Sequence, residues 1–129
     1  MAGDVADFVN AYGAAWLEAD ADARRALLGI AWSDNGTYQD PTADVAGRGA
    51  LVAHIGGFHQ SMPGAQILIT SAVDHHHSKI RFTWKMLGAD GAVAMEGVDF
   101  GELADDGRIA KIVGIFGPRK LMKMKAPEQ

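Results

Sequence analysis

Three side chains in this 129-residue sequence have the chemistry to move or hold a proton in an apolar setting: Tyr12, Asp40 and Asp99. Tyr12 recurs with Phe8 and Trp16 at four-residue steps, so one helical face carries all three, and the phenol points into apolar surroundings. A hydroxyl buried there needs a hydrogen-bond partner. Asp40 follows Tyr38 by two residues, which places both on one face of a strand. If that face lines a pocket, burial raises the pKa of Asp40. Asp99 interrupts a hydrophobic strand and shares its face with Met95, Gly97 and Gly101, a setting with room for a ligand and little solvent. A carboxylic acid held there can stay protonated at neutral pH and donate a hydrogen bond. Each residue also has a plainer reading. Asp40 before Pro41 suits a turn at a strand end, and Tyr12 suits an ordinary core. Asp99 could be structural if it pairs with Tyr12, His54 or Arg81, because an unpaired buried carboxylate is costly.

Around these three, Trp16, Tyr38, Phe58, Met62, Trp84, Met95 and Phe116 form the expected apolar lining, and the same residues would serve as core. Trp16 is bulky enough to shorten a cavity, which favours a ligand smaller than a steroid. His54 stands one helical turn before Phe58, where it edges the pocket and could orient a ligand or act as a second acid or base. His59 is expected to be exposed. His75, His76 and His77 are adjacent, so on a strand they alternate between faces instead of converging on one ion, and no dedicated metal site is expected.

The elements that must position these residues follow from periodicity. Val5, Phe8, Val9, Tyr12, Trp16 and Ala19 mark a first amphipathic helix. Asp20 and Asp22 offer N-caps for a second, with Ala26, Leu27 and Ile30 predicted on its inner face. Ser33 to Gly36 reads as a turn, Thr37 to Asp40 as a short strand stopped by Pro41, and Thr42 to Arg48 as a loop. Leu51, Ile55, Phe58 and Met62 give a third helical face. The period then changes to alternation: strands are expected over Ala65 to Asp74, His77 to Leu87, Ala92 to Leu103 and Arg108 to Gly117. Gly88 to Gly91 and Asp105 to Gly107 supply the hairpin turns. Helices followed by an antiparallel meander give an α+β class, a curved antiparallel sheet packed against three N-terminal helices and enclosing a pocket.

Composition narrows the function classes. With 48% hydrophobic and 22% charged residues the chain reads as one globular domain over residues 1–118, followed by a basic tail over 119–129. That tail sets Arg119, Lys120, Lys123 and Lys125 against Glu128, a net +3, so the body carries −7 of the formal −4. A body of that sign repels phosphate backbones and argues against nucleic acid. No apolar run approaches the roughly 20 residues that a membrane helix needs. The absence of cysteine excludes disulfides and thiolate chemistry, and a cytoplasmic setting is expected.

The order helix–helix–strand–helix–meander resembles the nuclear-transport-factor-2-like superfamily, and within it the SnoaL-like proteins and ketosteroid isomerases. The resemblance rests on Thr37-Tyr-Gln-Asp-Pro41, Gly47-Arg-Gly49 opening a helix, Gly97-Val-Asp-Phe100, Gly107-Arg-Ile109 and Gly114-Ile-Phe-Gly117, and it spans Phe8 to about Pro118. The resemblance implies a small hydrophobic ligand, no cofactor, and a homodimer formed through the outer sheet face, where Val98 and Phe100 lie opposite Asp99. It also implies roles: Asp40 as general base, with Tyr12 and Asp99 stabilising an enolate oxygen. That is isomerase-like or cyclase-like chemistry on a carbonyl compound. A non-catalytic ligand binder and a dimeric interaction module remain open alternatives, because this fold hosts many activities.

Overall fold

The computed structural model describes residues 4–117. Helices α1 (Val5–Leu17) and α2 (Ala21–Ala31) open the chain, followed by strands β1 (Trp32–Asp40) and β2 (Ala43–Ala46) and helix α3 (Arg48–Ser61). Strands β3 (Gln66–Ile69), β4 (Asp74–His76), β5 (Lys79–Leu87), β6 (Val93–Leu103) and β7 (Ile109–Phe116) complete it. They form one curved, unclosed sheet in the order β2-β1-β7-β6-β5-β3, with β4 beside β5, and the helices pack against it in an α+β arrangement. The expected helices are present in the expected order, α3 following β1, with the edge strand β2 added between them.

Several local expectations need correction. Ser33 to Gly36 is not a turn; it belongs to β1, which is irregular between Trp32 and Thr37 where it runs beside β7. Gly36 makes that irregularity possible, because the Trp32 indole folds back over it and any Cβ there would overlap the ring. Part of the expected loop over Thr42 to Arg48 is the edge strand β2, paired antiparallel with β1. The expected strand Ala65 to Asp74 is interrupted, and β3 and β4 pair with separate parts of β5. The sheet is antiparallel except at β1–β7, whose parallel pairing joins distant parts of the chain.

The inner face of α2 also differs. Arg24, Leu28 and Ala31 are buried there, whereas Ala26 and Ile30 are exposed and Leu27 is half-buried. Arg24 is a core residue despite its charge, because its guanidinium donates to the carbonyls of Glu18, Ala19 and Val52 at 3.0 Å each. These bonds tie the end of α1 to α3 and satisfy donors that would otherwise be buried unpaired. His59 is half-buried, not exposed: its Nε2 donates to the Trp16 carbonyl at 2.9 Å, the second tie between α3 and the end of α1.

The main core joins Val9, Leu28, Trp32, Leu51, Ile55, Ile80, Ile109 and Ile112 between the helices and one end of the sheet. The expected alternation in β5 holds, with Ile80, Phe82, Trp84 and Met86 all turned inward. The basic tail over 119–129 lies outside the described residues.

Candidate active site

Register across the sheet sets the positions of the two carboxylates. Asp99 on β6 pairs with Gly114 on β7, and Gln39 on β1 pairs with Val113, so Asp40 comes beside Gly114 from the other side. Gly114 is bare between them: a Cβ there would lie 2.9 Å from Asp99 Oδ1 and 3.6 Å from Asp40 Cβ. Where sheet and helices diverge they enclose a cavity of about 520 Å³, a volume in the range of small-molecule sites. Tyr12, Asp40 and Asp99 all line it.

Asp40 is held firmly. Tyr38 donates its hydroxyl to Oδ2 at 2.6 Å, while the Thr42 amide and hydroxyl both donate to Oδ1 at 2.7 Å. The Thr42 amide bond is the Asx turn that an Asp-Pro-Thr sequence favours. His54 Nε2 stands 3.7 Å from Oδ2. The expectation of a raised Asp40 pKa is therefore corrected. Burial does push it up, but the hydrogen bonds from Tyr38 and Thr42, with the nearby His54, outweigh burial and hold the carboxyl below its ordinary value.

Asp99 shows the opposite balance. It is buried and takes one hydrogen bond, from Trp84 Nε1 to Oδ1 at 3.0 Å. Burial pushes its pKa up to about 7; the Trp84 bond opposes the rise and the Asp40 charge adds to it. Its partner is thus none of Tyr12, His54 and Arg81. Arg81 sits on the outer face opposite Phe100 and pairs with Asp74 at 3.0 Å.

Tyr12 stacks on Trp32 with ring centroids 5.6 Å apart and meets Phe82 edge-on at 6.2 Å. Its hydroxyl is buried and has no hydrogen-bond partner among the described residues. Burial, with the Asp99 charge adding to it and the Trp16 side chain beside the hydroxyl opposing it, raises the phenol well above its ordinary pKa, so the hydroxyl stays protonated and able to donate.

The remaining expected residues line the same cavity. Trp16 meets Tyr38, His54 and Phe58 with centroids 5.8 to 5.9 Å apart, an aromatic wall contributed by α1, β1 and α3. Trp84 and Phe116 pack edge to face at 5.7 Å, with Met95 beside them in the lining. Met62 is partly exposed at the C-terminal end of α3. The sequence reading missed Thr42, Ile67, Ile69, Phe82 and Met86. Phe82 and Met86 were findable, since they alternate with Trp84, and Thr42 was findable from the turn signal after Asp40. Among the described residues no group of three or more His, Asp or Glu gathers as a metal ion would require.

Gly97 secures the Trp84–Asp99 contact. The two strands place it directly opposite Trp84, and a Cβ there would overlap the indole. Gly97→Ala is expected to displace the ring, break its bond to Asp99 and destabilise the fold by about 1–3 kcal/mol, as overpacking does. Urea unfolding followed by tryptophan fluorescence measures this. An unchanged midpoint would contradict the packing described.

The comparisons with known proteins agree on the fold. The SnoaL-like domain matches residues 9–112. An Agrobacterium tumefaciens protein, described provisionally as an isomerase of the SnoaL-like family, is 33% identical, with 86% of this chain and 95% of that one covered and a TM-score of 0.81. A Sinorhizobium meliloti protein described provisionally as a polyketide cyclase is 19% identical, with 84% and 93% covered and a TM-score of 0.66. An NTF2-like protein of unknown function from an Exiguobacterium is 17% identical, with 87% and 99% covered and a TM-score of 0.69. No curated protein matches the chain. No helix among the described residues is long and apolar enough to cross a membrane. With the domain matched over most of its length, this chain belongs to the SnoaL-like family.

Proposed function

We propose that this protein catalyses cofactor-independent proton transfer on a small hydrophobic carbonyl compound, in the manner of an isomerase or cyclase. Asp40 removes a proton from the carbon next to the carbonyl. Tyr12 and protonated Asp99 donate hydrogen bonds to the enolate oxygen that results. Trp16, Tyr38, His54, Phe58, Met62, Trp84, Met95 and Phe116 hold the apolar body of the substrate.

One observation carries this reading: an ionised carboxylate shares a cavity with a buried phenol that lacks a partner and with a carboxylic acid that keeps its proton near neutrality. Unsatisfied buried donors are costly, so a site that keeps one calls for a ligand acceptor to meet it. The test is conversion of 1-phenylbut-3-en-1-one to its conjugated isomer, followed by ultraviolet absorbance. Conversion faster than in buffer supports the reading, and a rate equal to buffer counts against it.

A second reading, a binder without chemistry, draws on the low pKa of Asp40, which weakens its drive to take a proton from carbon. Ligand-induced stabilisation without turnover, surviving Asp40→Asn, would favour it.

The outer sheet face supports a homodimer under either reading. Val98 pairs with Ile115 and Phe100 with Val113, and Phe100 and Ile115 are 44% and 54% exposed. This apolar quartet is bordered by the charged pairs Lys79–Glu102 and Arg81–Asp74. Apolar centres with charged rims suit association. Light scattering after size exclusion is expected to give twice the chain mass for the wild type and the monomer mass for Phe100→Lys. A wild-type monomer at high concentration would contradict it.

A further inference from the structure

The cavity carries a second proton-handling group that single-base isomerisation does not require. His54 lies on α3, facing Asp40 across the cavity wall, with its ring edge-on to Trp16 at 5.9 Å and tilted over Tyr38 at 5.2 Å. Those contacts fix the ring, and its side chain keeps 23% exposure against 4% for Asp40. The gap of 3.7 Å between His54 Nε2 and Asp40 Oδ2 is too long for a hydrogen bond between them. It suits two groups that bracket neighbouring atoms of one ligand, since bonded carbons stand about 1.5 Å apart and each substituent adds its own reach.

The hydrogen bonding of Asp40 distinguishes its two oxygens. Oδ1 accepts two donors from Thr42 and is fully engaged. Oδ2 accepts only Tyr38, which leaves a lone pair on the oxygen nearest His54. The basic oxygen and the imidazole nitrogen are therefore neighbours on one wall, while Tyr12 and Asp99 supply donors from helix α1 and strand β6.

We propose that Asp40 and His54 act as a base and an acid on vicinal positions of one substrate, so that the cavity eliminates water from β-hydroxy ketones. This rests on the proton-transfer reading given above. Asp40 Oδ2 takes the proton from the carbon next to the carbonyl, and the C–H electron pair moves into the enolate, whose oxygen Tyr12 and Asp99 hold. The enolate then collapses: the carbonyl re-forms, the carbon–carbon double bond forms, and the β carbon–oxygen bond breaks with its electrons going to oxygen. The His54 imidazolium gives that oxygen a proton and water leaves. The proton on Asp40 returns to His54 across the gap, by way of the released water, and resets the pair. Removal and departure occur on the same face of the substrate, because base and acid sit on the same wall.

Two probes with a common product test this. 3-Hydroxy-1-phenylbutan-1-one would lose water, and 1-phenylbut-3-en-1-one would isomerise, each giving 1-phenylbut-2-en-1-one, which is read by absorbance. The wild type is expected to convert both. His54→Gln, and His54→Asn beside it, are expected to lose about 10²-fold or more in dehydration, the usual contribution of a positioned acid. Both variants are expected to lose far less in isomerisation than in dehydration, so the ratio of the two rates falls, and circular dichroism reports that they fold. A wild type that isomerises without dehydrating would overturn the base–acid pair and leave the proton-transfer reading standing. Equal loss of both reactions in a variant with wild-type circular dichroism would also overturn it. A wild type that converts neither probe would overturn both the pair and the reading it rests on.

Discussion

Asp40→Asn is expected to lower the turnover of 1-phenylbut-3-en-1-one by about 10³-fold, within the range seen when a positioned base is removed, with the dissociation constant for the ketone unchanged. The substitution is a clean one. An Asn oxygen still accepts from the Thr42 amide and hydroxyl, so the turn after β1 persists. The amide nitrogen replaces Oδ2 and removes the lone pair that would receive the proton. As the proposed base, Asp40 has a low pKa and so gains little driving force from its own protonation. Rate must then come from stabilising the enolate at Tyr12 and Asp99. Initial rates by absorbance, with affinity from quenching of Trp16 and Trp84, separate the two effects. A variant as fast as the wild type would remove Asp40 from the chemistry.

The second large effect sets function against stability. Asp99 ionises near 3.8 in the unfolded chain and at about 7 in the folded one. Below 3.8 both states hold the proton and burial costs nothing. As pH rises toward 7 the unfolded chain releases its proton while the native state keeps it, so native stability falls. Above 7 the full cost is present, about 4 kcal/mol from the size of the pKa change. Asp99→Asn keeps an acceptor for Trp84 Nε1 and has no charge to bury. The variant is therefore expected to exceed the wild type in stability by up to about 4 kcal/mol at pH 8 and to nearly match it at pH 4. Its rate should fall by about 10²-fold, because an amide donates more weakly to an oxyanion than a carboxylic acid does. Urea unfolding at both pH values gives the first quantity. A variant less stable than the wild type at pH 8 would show that Asp99 is stabilised in its ionised form in the folded protein and would contradict this balance.

Period and turn chemistry made most of this fold legible. The inward set Ile80, Phe82, Trp84 and Met86 follows from strict alternation, and the turns at Gly88–Gly91 and Asp105–Gly107 from their glycines and aspartates. Elements stabilised by distant partners were not legible. β2 exists because β1 offers it an edge, and the parallel β1–β7 pairing leaves no mark in either strand. Arg24 on the inner face of α2 contradicts hydropathy, and three carbonyls on other segments explain it.

The site divides along the same line. Period puts Tyr12 and Asp99 on inward faces and sets Asp40 on the face of Tyr38, but that this face lines the cavity depends on the sheet around it. The protonation balance does not follow from period either, because it depends on who donates to each carboxylate. Thr42 and Tyr38 reverse the burial effect at Asp40, and their bonds depend on the turn and the strand twist. The Trp84 bond to Asp99 depends on Gly97 leaving space for an indole, a contact between strands that no local pattern encodes.

In the proposed chemistry this cavity removes a proton from the carbon beside a carbonyl, and exchange with solvent measures that step without requiring any later one. Propiophenone incubated in deuterated water and followed by proton NMR should lose its α-proton signal faster with the wild-type protein than in buffer, and at the buffer rate with Asp40→Asn. Exchange at the buffer rate under saturating ketone with the wild type would contradict the account.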